Sequence, residues 1–167
     1  MGKNLPSFTG LSWQHNPYYS FFIPINWQRL DWPDGRSGVI YLPTADDPLT
    51  LFAVDMRDLE TLLTPEDCED LVDGFLSGIQ ALPDCQIESQ DHWVVGDLIG
   101  MEARYTFTDQ GGPRKRWVRQ FYHETRQIAM IAQGATPEHF AYWLPMFYEA
   151  MMTTKIHNSL PNLEAAW

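Results

Sequence analysis

Two Thr-Pro-Glu triplets, Thr64-Pro65-Glu66 and Thr136-Pro137-Glu138, bracket the part of the chain that most limits its fold. A threonine hydroxyl suits an N-cap, proline suits the first helical position, and an acid there faces the positive end of the helix dipole. After the first triplet, Cys68, Leu71, Val72, Phe75, Leu76 and Ile79 recur at helical spacing, while Glu66, Glu69, Asp70 and Asp73 fall on the opposite side. The pattern predicts an amphipathic helix that ends at Leu82-Pro83-Asp84. After the second, Phe140, Trp143, Leu144, Phe147 and Met151 give another apolar face. Pro145 lies inside it, so a kink or a break at Leu144 is expected.

Between the triplets the pattern changes to period two. Met101, Ala103, Tyr105 and Phe107 alternate with Glu102, Arg104 and Thr106, as in a half-buried strand. Strands are also expected over 86–93, 116–124 and 128–132, with a hairpin loop at Asp109-Gln110-Gly111-Gly112-Pro113. Three more precede the first helix, over 18–23, 39–42 and 49–56, with a turn at Pro33-Asp34-Gly35. Strands in runs, not alternating with helices, imply an α+β domain with a mostly antiparallel sheet of six to seven strands and two main helices. Residues 1–17 read as an N-terminal arm, 18–156 as one domain and 157–167 as a tail.

Charge removes some function classes. The chain has 22 acidic and 11 basic residues, a net charge of −11, so phosphate backbones repel it and nucleic acid is not an expected partner. The basic residues cluster: residues 103–126 hold six (Arg104, Arg114, Lys115, Arg116, Arg119, Arg126) against Asp109 and Glu124. A surface divided in this way can steer a charged partner. No apolar run approaches the ~20 residues of a membrane helix, and the N-terminus lacks the apolar core of a signal peptide. The expected location is the cytoplasm.

Catalytic signatures are absent from the sequence. There is no GxSxG, no P-loop and no GxGxxG. Five histidines are scattered at His15, His92, His123, His139 and His157. Asp91-His92 and His123-Glu124 pair an imidazole with an acid, but neighbours on a strand point to opposite faces, so neither dyad converges by itself. Cys68 and Cys85 are too few for a structural zinc site. No metal or cofactor is expected, and a hydrolase built on a His/acid site is the least favoured reading.

Arginine and aromatic residues together are a stronger lead, because such residues dominate binding hot spots. Arg114, Arg116 and Arg119 share a predicted strand with Trp117 and Tyr122. The expectation is a binding strand that docks an acidic protein or an anionic ligand. Two alternatives are a small-molecule carrier, with a cavity between sheet and helix lined by Met101, Tyr105 and Phe147, and a self-associating subunit with an exposed apolar patch.

The ordered landmarks resemble the Mog1/PsbP-like family. They begin at Phe22-Ile23-Pro24-Ile25-Asn26-Trp27 and continue through the strand pair 39–42 and 49–56 and the Thr64-Pro65-Glu66 helix. They close with the strands 100–107, 116–122 and 128–132 and a terminal helix in which Phe140 and Phe147 flank Pro145. The resemblance spans about residues 18–156 and rests on the ordered set, not on any single motif. It implies an αβα sandwich and a non-enzymatic binding or adaptor role. Some relatives bind a small GTPase, some associate with photosystem II, and others are lipoproteins. No lipobox cysteine is present here, and no partner-binding residue of the family matches position by position.

Overall fold

The computed structural model describes residues 9–158. Its strands are β1 (Leu11–His15), β2 (Tyr19–Pro24), β3 (Gln28–Leu30), β4 (Ser37–Leu42), β5 (Leu51–Asp58), β6 (Gln86–Val95), β7 (Leu98–Asp109), β8 (Gly112–His123), β9 (Arg126–Gly134) and β10 (Lys155–Ile156). Its helices are α1 (Cys68–Gln80), preceded by a 3-10 turn at Pro65–Asp67, and α2 (Pro137–Met152). Seven strands form one sheet in the order β3-β4-β5-β9-β8-β7-β6, and three form a second, β1-β2-β10. Every pairing is antiparallel. This is the α+β architecture that the strand runs imply.

Alternation along β8 sets the two sides of the large sheet. Trp117 and Phe121 face α2 and join the main core with Phe21, Phe52, Met130, Phe140, Phe147 and Met151. Val118 and Tyr122 face the other way, beneath α1. The helices therefore cover opposite faces, giving an αβα sandwich, and the three-stranded sheet closes the α2 side through Tyr19, Phe21 and Ile23.

Those two faces are packed to different depths. Helix α2 buries Phe140, Met146, Phe147, Ala150 and Met151. Its close seating needs Gly134, where an added Cβ would lie 2.3 Å from the backbone nitrogen of Phe140. Of the stripe on α1 only Ile79 is buried; Leu71, Val72, Phe75 and Leu76 remain partly exposed.

Three local features refine the expectations. Of the kink or break expected at Leu144, the break is absent, and helix α2 runs as one helix through Pro145. Proline 145 lies on the exposed side, so the Ala141 carbonyl that loses its helical donor stands on the side open to water. Leu11–His15, read as part of an arm, form β1 and pair with 20–24 of β2. The stretch after Trp27, for which only the turn at Pro33-Asp34-Gly35 is expected, also contains the short strand β3, paired with β4. The turn at Pro33-Asp34-Gly35 is present, with Gly35 at φ 79° and its N–H donated to the Trp32 carbonyl at 3.1 Å. Most of the expected tail, 159–167, and residues 1–8 of the expected arm lie outside the described residues. Among the described residues, no helix is long and apolar enough to cross a membrane.

Candidate functional site

The sequence placed three arginines and two aromatic residues on one strand; the structure divides them between the two faces of that strand. Arg114 is buried, and its Nε and Nη2 donate to the carboxylate and the carbonyl of Asp109 in the adjoining hairpin. Trp117 is 1% exposed on the α2 face, with its indole N–H donated to Glu102 at 3.0 Å and Arg104 stacked over its ring. Arg119 is on that same face, donating Nη1 to the Met151 carbonyl at 2.9 Å and lying 3.3 Å from Glu102. Burial pulls the Arg119 pKa down, partly countered by Glu102. These three side chains brace the fold. Arg116 and Tyr122 lie on the face opposite Trp117 and Arg119, under α1, the face to which alternation also assigns Arg114.

There the loose seating of α1 leaves a groove of about 510 Å³ between the helix and the sheet. Cross-strand register orders its floor into rows. Arg116 stands opposite Gln133, Val118 opposite Ile131, Gln120 opposite Ala129, and Tyr122 opposite Gln127. One strand further, Asp55 and Arg57 of β5 extend the last two rows. The helix supplies the wall, with Leu71, Phe75 and Ile79 as its apolar part and Gly74 and Gly78 as its open part. An added Cβ on either glycine would meet nothing within 4 Å. The groove thus combines an apolar strip with a few fixed polar groups, the composition expected of a binding site.

Arg116 is held without an acid. Its Nε and Nη2 donate to Gln133 Oε1 at 3.0 and 2.6 Å, and Nη1 donates to the Tyr105 hydroxyl at 3.3 Å. Gln133 is fixed in turn by donating Nε2 to the Leu49 carbonyl at 2.8 Å. The guanidinium also lies 4.5 Å from the centre of the Phe107 ring. Among the described residues, no carboxylate lies within ion-pair distance of it. Burial raises the Tyr105 hydroxyl pKa, an effect that Arg116 reduces.

At the opposite corner stands Asp55, 7% exposed. Its Oδ2 takes Arg36 at 3.3 Å and Arg57 at 3.1 Å. Its Oδ1 is buried with no hydrogen-bond partner among the described residues. A buried, unshared acceptor is uncommon and calls for an explanation. Asp70 of α1 lines the same groove.

Tyr105 lines this groove, as expected for a carrier cavity, but Met101 and Phe147 do not. Met101 is sealed beneath α1 beside Ile99, and Phe147 belongs to the core beneath α2. The opening therefore lies under the first helix. Of the missed residues, Asp55 and the two glycines had a signal: an acid within an apolar strand, and helix breakers four apart on a helix. Gln120, Gln127 and Gln133 had none.

Of the two histidine dyads, only His123 and Glu124 bring their side chains together. His92 is exposed on β6, and Asp91 accepts its backbone N–H. His123 closes β8, with Nε2 at 2.7 Å from Asn158 and 3.6 Å from Glu124. His157 lies 2.9 Å from the Ser20 hydroxyl, the spacing of a nucleophile and its base. Ser20 is 2% exposed, however, and the contact fastens the chain after β10 onto β2. Cross-strand neighbours Trp13 and Phe22 are exposed on the small sheet, and they form a second apolar surface.

No family model matches the chain, and no curated protein matches it by sequence. Solved structures do match in fold. Cyanobacterial PsbP (CyanoP) from Synechocystis sp. PCC 6803 is 10% identical, with a TM-score of 0.61 over 90% of this chain and 95% of that one. LpqN of Mycobacterium tuberculosis, described as involved in cell envelope biogenesis, is 12% identical, with a TM-score of 0.60 over 89% and 91%. The Saccharomyces cerevisiae Ran-binding protein Mog1p is 9% identical, with a TM-score of 0.51 over 85% and 92%.

Proposed function

From the Mog1/PsbP-like fold that this chain carries, we propose that it is a non-enzymatic binding module, one that takes a segment of a protein partner into the groove beneath α1. The observation that carries this reading is the groove itself. An αβα sandwich gains stability by seating both helices fully. Here α2 is fully seated, while α1 leaves apolar side chains beside an open, partly polar floor. Mog1p, described as a Ran-binding protein, supplies a precedent for protein recognition on this fold. A partner strip of apolar residues with polar ends would cover Leu71, Phe75 and Val118 and reach Arg116.

The expected binding strand keeps a part in this proposal. Arg116 and Tyr122 belong to the groove, while Arg114, Arg119 and Trp117 hold β8 in place from its ends and back. A small-molecule carrier is the second reading, since the groove volume falls in the range of ligand sites.

The test fills the groove from the helix. Gly74→Phe/Gly78→Phe adds two rings where there is open space and replaces two poor helix formers. Wild type and variant, matched for thermal stability, are used as bait in native lysate and their captured proteins compared by quantitative mass spectrometry. Partners held by wild type and lost by the variant are expected. An identical captured set would contradict the groove reading, and a co-purified small molecule lost only from the variant would replace it with the carrier.

A further inference from the structure

Resting on the groove as binding site, we infer that it recognises the free C-terminal carboxylate of an extended partner segment, with the carboxylate at Arg116 and a backbone N–H at Asp55. Two independent observations lead there. Arg116 is a fixed guanidinium in the groove whose protein partners, Gln133 Oε1 and the Tyr105 hydroxyl, are both neutral. Arg29 and Arg104 also have no acid within ion-pair distance among the described residues, but of the three only Arg116 lines the groove. A guanidinium has five donors in a planar fork, suited to a carboxylate. Asp55 Oδ1 is the complementary feature, a buried acceptor without a donor among the described residues.

The spacing selects the occupant. Asp55 is level with Gln120, four residues along β8 from Arg116, and it lies two strands away. Strand rise and strand spacing put the two Cα positions ~16 Å apart. That distance is about four to five residues of extended chain. The strip between the two ends is apolar, with Val118 and Ile131 on the floor and Phe75 and Ile79 on the wall. Polarity agrees with this direction. Asp55 and Asp70 lie at the end where α1 begins, and Arg116 lies at the end where it finishes, near Leu82. Arg57 and Arg36 offset the charge on Asp55, so that end favours a neutral N–H over a second cation.

A pool of N-acetylated tetrapeptides with apolar residues tests this, prepared once with a free C-terminus and once amidated. Binding to the 15N-labelled protein is followed by amide shifts. The free-acid pool is expected to move Gly74, Gly78, Gln120 and Ala129 and to bind at least tenfold more tightly than the amidated pool. Arg116→Gln should abolish that preference, and Arg116→Lys, which keeps the charge without the fork, should retain part of it. Equal affinity of the two pools for wild type, or a preference that survives Arg116→Gln, would overturn the carboxylate assignment and leave the groove as binding site. Failure of both pools would also overturn it, whereas the groove reading falls only if the phenylalanine-filled variant captures the same partners as wild type.

Discussion

Arg116 and Trp117 are adjacent in sequence yet serve different ends, because a strand sends neighbours to opposite faces. Trp117→Ala removes a ring that is 1% exposed from the main core, and it should cost about 3–5 kcal/mol, read from denaturant unfolding. Arg116→Gln loses charge-assisted bonds to neutral acceptors at the edge of the groove and should cost about 1–3 kcal/mol, less than Trp117→Ala. Comparable losses would mean that Arg116 braces the fold as Trp117 does. The tyrosines add a pH dependence. Burial raises the folded-state pKa of Tyr19, Tyr41, Tyr105 and Tyr122 above the ordinary value of 10.0. Below pH 10 both folded and unfolded chains keep these protons. Above it the unfolded chain releases them first, so stability present at neutral pH is lost as pH rises through the raised values. The melting temperature should fall beyond pH 10, with tyrosinate absorbance lagging in the folded protein. Tyrosines that all ionise near 10 while the protein stays folded would contradict this.

The two helices open alike and are capped differently. Thr136 Oγ1 accepts the His139 N–H at 3.1 Å, so Thr136→Ala should cost about 1 kcal/mol. At the first helix the Asp67 carboxylate accepts the Thr64 backbone N–H at 2.8 Å, which Thr64→Ala retains, so its loss there should be smaller. Equal losses in thermal melts would refute this distinction. In α1, Gly74→Ala and Gly78→Ala should each stabilise the protein by up to about 1 kcal/mol, since each Cβ enters open space. Destabilisation would show that the helix moves closer to the sheet than its seating indicates. These elements were largely legible from sequence because capping, helical periodicity and strand alternation are local. What was not legible depends on contacts between distant segments. Strand β1 is fixed by β2, and the passage of α2 through Pro145 depends on which side meets water. The separation of Arg116 from Arg119 depends on which helix covers each face of β8, while Arg114, on the Arg116 face, is taken up by Asp109 of its own hairpin. The placement of Asp55 at the end of the groove opposite Arg116 needs the order β5-β9-β8, which no local pattern encodes.

At the scale of the molecule, one helix is seated for stability and the other is raised over a floor that is apolar in its middle and charged at its ends. Two surfaces then compete as the binding face: the groove, and the exposed Trp13–Phe22 pair on the small sheet. The most direct test is to titrate the 15N-labelled protein with the partner recovered by capture and to map the amide shifts. The groove account predicts shifts at Gly74, Gly78, Gln120, Gln127 and Ala129, lost when the groove is filled by Gly74→Phe/Gly78→Phe. Shifts confined to β1 and β2, unchanged in that variant, would contradict it.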